Sequence, residues 1–265
     1  MKTVTTEWMD QVAEQLYEAE KQAEEVGKMT DRFPQLQVVT AYEIQRKLIK
    51  IKEEREQTRR SGYKLGLTSR AKQEMMGVHE PTYGVLLENM QLFEGEQVSV
   101  APFIHAKIEP EIAFVFDKEV KGPSITTAAI LDATAYIAPA MEVIDSRYRD
   151  FHFTLADVIA DNSSSSRFIL SENLHRPDEV DLRLMGMVFK KNGEIESTSA
   201  GASVMGHPAR AVAWLAKQLI ETGQSIQPGD IVLSGALAKA VTIAPGDHFS
   251  VHFDGIGSLD ITFKE

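Results

Sequence analysis

Residues 107–116 read KIEPEIAFVF, a run that places two carboxylates immediately before a set of apolar residues. Alternate residues of a β-strand lie on one face, so Glu109 and Glu111 are expected to point the same way while the apolar residues require burial. Two carboxylates on one buried face repel each other, and a hard cation such as Mg²⁺ or Mn²⁺ removes that repulsion. The alternative is an edge strand, marked by Pro110, with a solvated acidic face.

A third carboxylate, Glu142, lies inside the apolar run of residues 138–147, APAMEVIDSR. A buried carboxylate needs a partner, because burying an unpaired charge costs a large free energy. Arg147 could be the ion-pair partner of Glu142 or of Asp145, and the other interpretation is that Glu142 is a third metal ligand.

Polar residues elsewhere could complete a site. Lys64 lies in the apolar run 63–67, YKLGL, where it is either a buried ammonium or a lysine that extends to the surface. Residues 160–166, ADNSSSS, are either a polar loop that caps a helix or the hydrogen-bonding wall of a pocket. Ser234 and Gly235 follow an apolar run and either offer backbone N–H groups to a carboxylate or form a turn.

The composition excludes several classes of protein. The 265 residues are 43% hydrophobic and 25% charged, as in ordinary globular proteins. A net charge of −11 opposes nucleic-acid binding, and 0 Cys excludes a thiolate nucleophile or a cysteine zinc site. Because no apolar run is long enough to cross a bilayer and the start leads into charged sequence, we expect a cytoplasmic protein without a membrane partner.

The pattern of apolar residues changes near residue 62. Residues 1–61 show helical spacing and predict a helical N-terminal segment, whereas residues 62–265 contain short β-like runs separated by Gly and Pro. This pattern predicts an α+β catalytic domain. A further helix is expected over residues 70–76, and Asn192 and Gly193 predict a hairpin turn.

Together these segments resemble the fumarylacetoacetate hydrolase superfamily, in the branch that contains 2-hydroxypentadienoate hydratases and 4-oxalocrotonate decarboxylases. The similarity covers nearly the whole chain. It rests on residues 64–69 (KLGLTS), 81–84 (PTYG), 108–111 (IEPE), 141–147 (MEVIDSR), 160–162 (ADN), 206–208 (GHP) and 255–258 (GIGS). The resemblance implies a mixed β-roll in residues 62–265.

The resemblance also implies roles for individual residues. Glu109, Glu111 and Glu142 would bind Mg²⁺ or Mn²⁺, and Lys64 would be the acid/base group beside the metal. Asp161 is a second catalytic candidate. The expected substrate-binding residues are Leu67, Thr68, Ser69, Ser234 and Gly235. Implied partners are a 2-oxo acid substrate, further copies of the chain in a homo-oligomer, and the cognate hydratase.

The position of Thr82 separates the two activities of this branch. Hydratases of this type carry Asp at that position, where it helps to activate water, and Thr cannot act as a carboxylate base. Residues 145–153 look closer to the decarboxylases. The sequence therefore favours metal-dependent decarboxylation of 2-oxo-3-hexenedioate to 2-hydroxypenta-2,4-dienoate in meta-cleavage degradation of aromatics, with hydration of 2-hydroxypentadienoate as the alternative.

Two further hypotheses stay open. Hydrolysis of an acylpyruvate usually relies on a His–Glu pair, and none of the 7 His can be assigned to such a pair. A binding or scaffold protein could hold a purely structural ion with the same carboxylates. An activity assay with Mg²⁺ and with a chelator distinguishes an enzyme from a scaffold.

Overall fold

Two long helices open the chain in the computed structural model, which describes residues 4–69, 73–74 and 78–265. The α-helices are α1 (Thr6–Gln22), α2 (Val38–Glu56), α3 (Thr127–Ala133), α4 (Leu155–Ala160) and α5 (Pro208–Glu221). Within these described ranges, no helix is both long enough and apolar enough to span a membrane. The helix expected over residues 70–76 lies outside the described residues, except for Gln73 and Glu74, which are helical.

The strands are short and most of them follow residue 80. Their bounds are β1 (Arg60–Gly66), β2 (Thr82–Leu87), β3 (Gln91–Leu92), β4 (Gln97–Ser99), β5 (Lys107–Phe116), β6 (Thr134–Ile144), β7 (Ser165–Leu170), β8 (Gly186–Lys191), β9 (Glu194–Ala200), β10 (Ile231–Leu233), β11 (Val241–Thr242), β12 (His248–Phe253) and β13 (Gly257–Lys264). The hairpin predicted between β8 and β9 is confirmed, with φ of 52° at Asn192 and 86° at Gly193.

The strands form two mixed sheets that together make the predicted α+β fold. The larger sheet has the order β2-β1-β10-β5-β6-β7-β3, with β11 added to β5, and the smaller has the order β4-β13-β12-β8-β9. β1 pairs in parallel with β10, so a strand near the start of the chain adjoins one near its end. The apolar core includes Phe114, Phe189, Val212 and Phe253.

Strand β5 is central in the larger sheet, although it contains Pro110. β10 pairs with residues 113–115 and β11 with residues 107–108, so the pairing on that side is interrupted around Pro110. The Pro110 carbonyl accepts a hydrogen bond from Leu237 N at 3.0 Å, in the loop that joins β10 to β11. Proline lacks an N–H donor and is therefore tolerated where the ladder is broken. The alternative of an edge strand is wrong.

The N-terminal helices pack on the rest of the chain through a shared apolar cluster. Leu16 of α1 and Ile44 and Leu48 of α2 belong to the same cluster as Tyr148 and Ile159, which come from the part of the chain after residue 62. β1 begins at Arg60, close to the expected boundary. The division into a segment 1–61 and a domain 62–265 stays a prediction.

Buried charges add a polar link across the same interface. Lys52 of α2 donates to both carboxylate oxygens of Glu20 in α1, at 2.7 and 2.9 Å. Arg147 Nη1 lies 3.9 Å from Glu20 Oε2. Burial disfavours the ionised form of Glu20, but the cations of Lys52 and Arg147 outweigh it and lower the pKa of Glu20 to about 2. Glu20 is thus an ionised carboxylate that connects α1 and α2 to Arg147.

We expect Glu20→Gln to lower the free energy of unfolding by about 3 kcal/mol at pH 7, because it leaves Lys52 buried without its counter-charge. A carboxyl with a lowered pKa stabilises the fold above its unfolded pKa, and that stabilisation is lost as the pH falls from about 4.5 towards 2. The difference between wild type and variant in urea unfolding should therefore shrink from pH 7 to pH 3. Glu18→Gln, at an exposed pair with Arg55, is the control and should have little effect. A difference that is independent of pH contradicts this prediction.

Candidate active site

Three carboxylates converge where β5 and β6 pair. Glu109 of β5 lies directly opposite Glu142 of β6 in the register. Glu111 is two residues further along β5 and therefore shares the face of Glu109. One oxygen from each of the three side chains lies within 4.8 Å of the others. The register between two strands, which sequence alone does not fix, is what adds Glu142 to the pair predicted within β5.

The three carboxylates are buried, and burial changes how two of them ionise. Glu109 is 4% exposed, and Glu111 and Glu142 are 0% exposed. Burial, followed by repulsion from Glu142 and Glu109, raises the pKa of Glu111 well above its ordinary value. Burial raises the pKa of Glu142 to about 7, although Lys64 opposes that rise. The three carboxylates therefore repel one another when ionised, and a bound cation would reduce this repulsion.

The donor set fits a hard divalent cation. Oε1 of Glu111 and Oε1 of Glu142 are buried and accept no hydrogen bond from the described residues. Gly235 N donates to the other oxygen of Glu111 at 2.6 Å and holds that side chain in place. An all-oxygen set with free acceptor atoms is what Mg²⁺ and Mn²⁺ prefer, and it would leave positions for water or substrate.

Lys64 is buried beside these carboxylates. It lies on β1, which β10 separates from β5, and its Nζ atom is 2.9 Å from Glu142 Oε2. At 2% exposure it does not extend to the surface. Burial alone would lower the pKa of Lys64, but the charges of Glu142, Glu109 and Glu111 raise it above its ordinary value. These carboxylates therefore favour the ammonium form of Lys64.

Arg147 pairs with Asp161, so the alternative of an Arg147–Glu142 ion pair is wrong. Arg147 Nε donates to Asp161 Oδ1, and Arg147 Nη1 donates to the carbonyl of Asp145 at 2.8 Å. Asp161 is 0% exposed and its carboxylate also accepts from the backbone N–H of Arg147 at 3.2 Å. The structure thus places Asp161 behind the cavity wall, paired with an arginine, and not against the cavity.

Directly after Asp161 the backbone turns through a left-handed run. Asn162, Ser163 and Ser164 have φ of 51°, 53° and 57°. Such φ values cost free energy in residues other than glycine and persist only where surrounding contacts impose them. Asn162 supplies such contacts, since its side chain accepts from Val85 N at 2.7 Å and donates to Val85 O at 2.9 Å. Ser163 Oγ donates to Tyr83 O at 3.0 Å.

A cavity of about 670 Å³ opens onto the cluster. It is lined by Lys64, Gly66, Leu67, Thr82, Lys107, Glu109, Ile144, Phe151, His152, Phe153, Val158, Ser163, Ser164, Lys239 and Ala240. The serine-rich run after Asp161 is therefore a pocket wall. Thr82 is 2% exposed, and its hydroxyl accepts from Ser163 Oγ at 3.4 Å.

One of the residues predicted to bind substrate lines the cavity, and the others do not. Leu67 lines the cavity, whereas Thr68, Ser69, Ser234 and Gly235 are not among its lining residues. The N–H of Gly235 donates to a carboxylate, as one of the two interpretations of this segment expected, and that carboxylate is the side chain of Glu111. Gly235 has φ of +100°, and a Cβ there would lie 2.2 Å from Thr68 Oγ1, so this close approach requires glycine.

Several cavity residues were not predicted from the sequence. Lys107 is two residues before Glu109, and strand alternation would have placed it on the same face. Phe151, His152 and Phe153 lie in residues 145–153, where the sequence shows a resemblance to the decarboxylases but gives no role to individual side chains. Lys239 lies in the loop between β10 and β11, and nothing in the local sequence indicates that it reaches this cavity.

Comparison with known proteins assigns the chain to a family. The family model for the fumarylacetoacetate (FAA) hydrolase C-terminal domain matches residues 56–264. The chain therefore belongs to the FAA hydrolase family, and the resemblance stated from the sequence is confirmed. The expected β-roll is confirmed as well, because solved structures with the fold of this family superpose on the chain.

Individual relatives narrow the comparison. The chain is 40% identical over 262 residues to a 4-oxalocrotonate decarboxylase of Pseudomonas putida, which covers 99% of both chains. It is 36% identical to a 2-hydroxyhexa-2,4-dienoate hydratase of Comamonas testosteroni, over 98% of both chains. The structure of 4-oxalocrotonate decarboxylase from P. putida G7, complexed with magnesium and adipate, superposes with a TM-score of 0.94 at 40% identity and covers 99% of this chain and 100% of that one.

Proposed function

We propose that this protein is a metal-dependent lyase that decarboxylates 2-oxo-3-hexenedioate to 2-hydroxypenta-2,4-dienoate and CO₂. The observation that carries the proposal is one cavity that joins a cluster of three carboxylates and a buried lysine to a wall with Thr82 at the position where hydratases carry Asp. The full-length identity to the decarboxylase of P. putida supports it.

Glu109, Glu111 and Glu142 would hold the divalent cation. When bound there, the cation supplies Lewis acidity towards the 2-oxo acid group of the substrate. The protein's part is to fix these ligands in place: Gly235 N holds Glu111, and the register of β5 and β6 holds Glu109 against Glu142.

Lys64 is the proposed proton donor. Loss of CO₂ breaks the bond between C5 and C6, and the electron pair moves through the carbon chain to the oxygen on C2. That oxygen then needs one proton to give the dienol. The neighbouring carboxylates favour the ammonium form of Lys64, which lies beside the ligand cluster, so its Nζ atom can donate this proton.

The rest of the cavity wall would keep water away from the reacting carbon chain. Leu67, Ile144, Phe153 and Val158 present apolar surface to the cavity. This apolar surface keeps water from the dienolate before the oxygen is protonated.

The residues that line the cavity also distinguish between the two candidate reactions, decarboxylation and hydration. Addition of water to a diene needs a base directed at a water molecule. Among the described residues that line the cavity, Glu109 is the sole carboxylate, and it belongs to the proposed ligand set. Asp161 is the first candidate to replace the Asp that hydratases carry at the position of Thr82, but its side chain accepts from Arg147. These placements favour the decarboxylase over the hydratase.

We expect rapid CO₂ release from 2-oxo-3-hexenedioate and little or no hydration of 2-hydroxypentadienoate when both initial rates are measured on one preparation with Mg²⁺. Chelation of the metal should abolish CO₂ release, whereas a scaffold with a structural ion would release no CO₂ under either condition. Rapid formation of 4-hydroxy-2-oxopentanoate from 2-hydroxypentadienoate, without CO₂ release from the first substrate, would establish the hydratase instead.

Three further aspects are carried over from the resemblance and belong to the same proposal. They are a homo-oligomeric assembly, association with the cognate hydratase, which would receive the unstable dienol, and a place in cytoplasmic meta-cleavage degradation of aromatics. Light scattering at micromolar concentration tests the first of these.

A further inference from the structure

The cavity contains two cations that the proposed chemistry does not use. Lys107 and Lys239 both line it, and neither makes an ion pair with any described residue. The chain as a whole carries a net charge of −11, whereas these two lysines place positive charge at the cavity wall. Cations grouped in a cleft raise the local concentration of anionic ligands.

Lys107 has a defined position relative to the carboxylate cluster. It lies on β5 on the same face as Glu109 and Glu111, and two residues of a strand span about 7 Å. The order along this face is Glu111, Glu109 and then Lys107, from the buried cluster outwards. A ligand that reaches the cluster with one end and lies along the strand brings its other end to Lys107.

An aromatic ring holds the ammonium of Lys107 at the cavity wall. Its Nζ atom lies 3.9 Å from the centre of the Phe151 ring. Phe151 has φ of 59°, and its N–H donates to the carbonyl of Tyr148 at 3.1 Å, which fixes the backbone that carries the ring. A cation over an aromatic face retains its charge while it loses part of its hydration shell, so it is prepared to bind an anion.

The second cation approaches from the neighbouring segment. β11 pairs with β5 at Val241–Ile108 and Thr242–Lys107, and Lys239 comes two residues before this pairing begins. Lys239 is exposed, whereas Lys107 is half-buried. Lys107 is thus the better placed to bind a ligand group within the cavity, and Lys239 to attract it at the rim.

The spacing matches a particular class of substrate. In an extended six-carbon dicarboxylate, the two carboxyl carbons are about 6 Å apart, from five carbon–carbon bonds. With the 2-oxo acid end at the carboxylate cluster, the distal carboxylate comes to the level of Lys107. We propose that Lys107, assisted by Lys239, binds the distal carboxylate and makes the enzyme select 2-oxo dicarboxylates over 2-oxo monocarboxylates. This inference rests on the proposed function of the same cavity.

The chemistry determines how this selection appears in the kinetics. An ammonium beside the distal carboxylate stabilises the charged ground state, whereas the departing CO₂ is neutral. The contact therefore contributes to binding and not to the chemical step. Loss of Lys107 should raise KM for 2-oxo-3-hexenedioate while kcat stays the same or rises, a pattern that identifies ground-state binding.

Two unreactive ligands of equal length measure how much the distal carboxylate contributes to binding. 2-Oxoadipate carries it and 2-oxohexanoate lacks it, and the dissociation constants of both are measured by calorimetry on the Mg²⁺-loaded, full-length protein. We expect wild type to bind 2-oxoadipate at least ~10-fold more tightly, the usual scale for a hydrogen bond to a charged group. The ratio of the two dissociation constants, 2-oxohexanoate over 2-oxoadipate, should fall close to one in Lys107→Met, because only the binding of 2-oxoadipate is weakened. Lys239→Met should lower the same ratio by a smaller factor.

Lys217→Met, at an exposed lysine on α5 away from the cavity, removes the same charge and should leave the ratio unchanged. Equal affinities for the two ligands in wild type overturn the inference. So does a ratio that Lys107→Met leaves unchanged, or a loss of affinity for both ligands to the same degree. Failure of the protein to release CO₂ from 2-oxo-3-hexenedioate overturns the proposed function instead, because the binding ratio is measured without turnover.

Discussion

Glu142→Gln is expected to weaken Mg²⁺ binding by more than ~100-fold and to abolish CO₂ release with it. Loss of a residue that merely orients a metal ligand already costs about 10–100-fold in affinity, and Glu142 is a proposed ligand itself. The substitution keeps the shape of the side chain but removes a charged donor whose Oε1 atom has no hydrogen bond from the described residues. Calorimetric titration with Mg²⁺ measures the affinity without any need for turnover.

Glu20→Gln is the matched control, because it also neutralises a buried, lysine-paired carboxylate but lies at the helix interface and away from the cluster. It should leave Mg²⁺ affinity unchanged at pH 7, where circular dichroism can verify that both variants are folded. Wild-type Mg²⁺ affinity in a folded Glu142→Gln protein would remove Glu142 from the ligand set.

Lys64→Met is expected to lower kcat by ~10²–10⁴-fold, the usual range for loss of a general acid or base. The same variant should bind Mg²⁺ at least as tightly as wild type. This follows because Lys64 Nζ lies 2.9 Å from Glu142 Oε2, where its positive charge opposes that of a bound cation. A catalytic defect combined with retained or tighter metal binding separates loss of the proton donor from damage to the site.

Lys52→Met provides the comparison for this second variant. Lys52 is also 2% exposed and also pairs with a glutamate, but its partner is Glu20. Its loss should reduce stability and leave kcat close to that of wild type. Turnover by Lys64→Met at a rate near that of wild type would show that Lys64 is a structural lysine and not the proton donor.

The parts of the site that sequence could predict are those governed by local rules. Strand alternation placed Glu109 and Glu111 on one face, and the cost of burying charge singled out Glu142 and Lys64 as groups that need partners. The structure joins these four residues in one cluster. Their identification required no knowledge of which strands are neighbours, because each residue is conspicuous within its own apolar run.

The remaining features depend on contacts between distant parts of the chain. Whether Asp161 faces the cavity or Arg147 is decided by the left-handed run that follows it and by the packing of Arg147. Gly235 donates to Glu111 because the chain after β10 continues alongside β5, where Ser234 N donates to Ile112 O and Leu237 N donates to Pro110 O. Local sequence contains neither fact. Lys239 was missed for the same reason.

The position of β10 between β1 and β5 has a consequence for how the protein acquires its activity during synthesis. β5 and β6 adjoin each other and are near neighbours along the chain, so Glu109, Glu111 and Glu142 can come together early. Lys64 is made before all three and its strand pairs with β2, but β1 is joined to β5 only through β10, which is residues 231–233. Contacts between such distant segments form slowly, because the intervening chain must first be ordered. During synthesis, β5 and β6 can therefore pair well before β10 joins β1 to them, and the carboxylate cluster and Lys64 share one sheet only once residues 231–233 have been made.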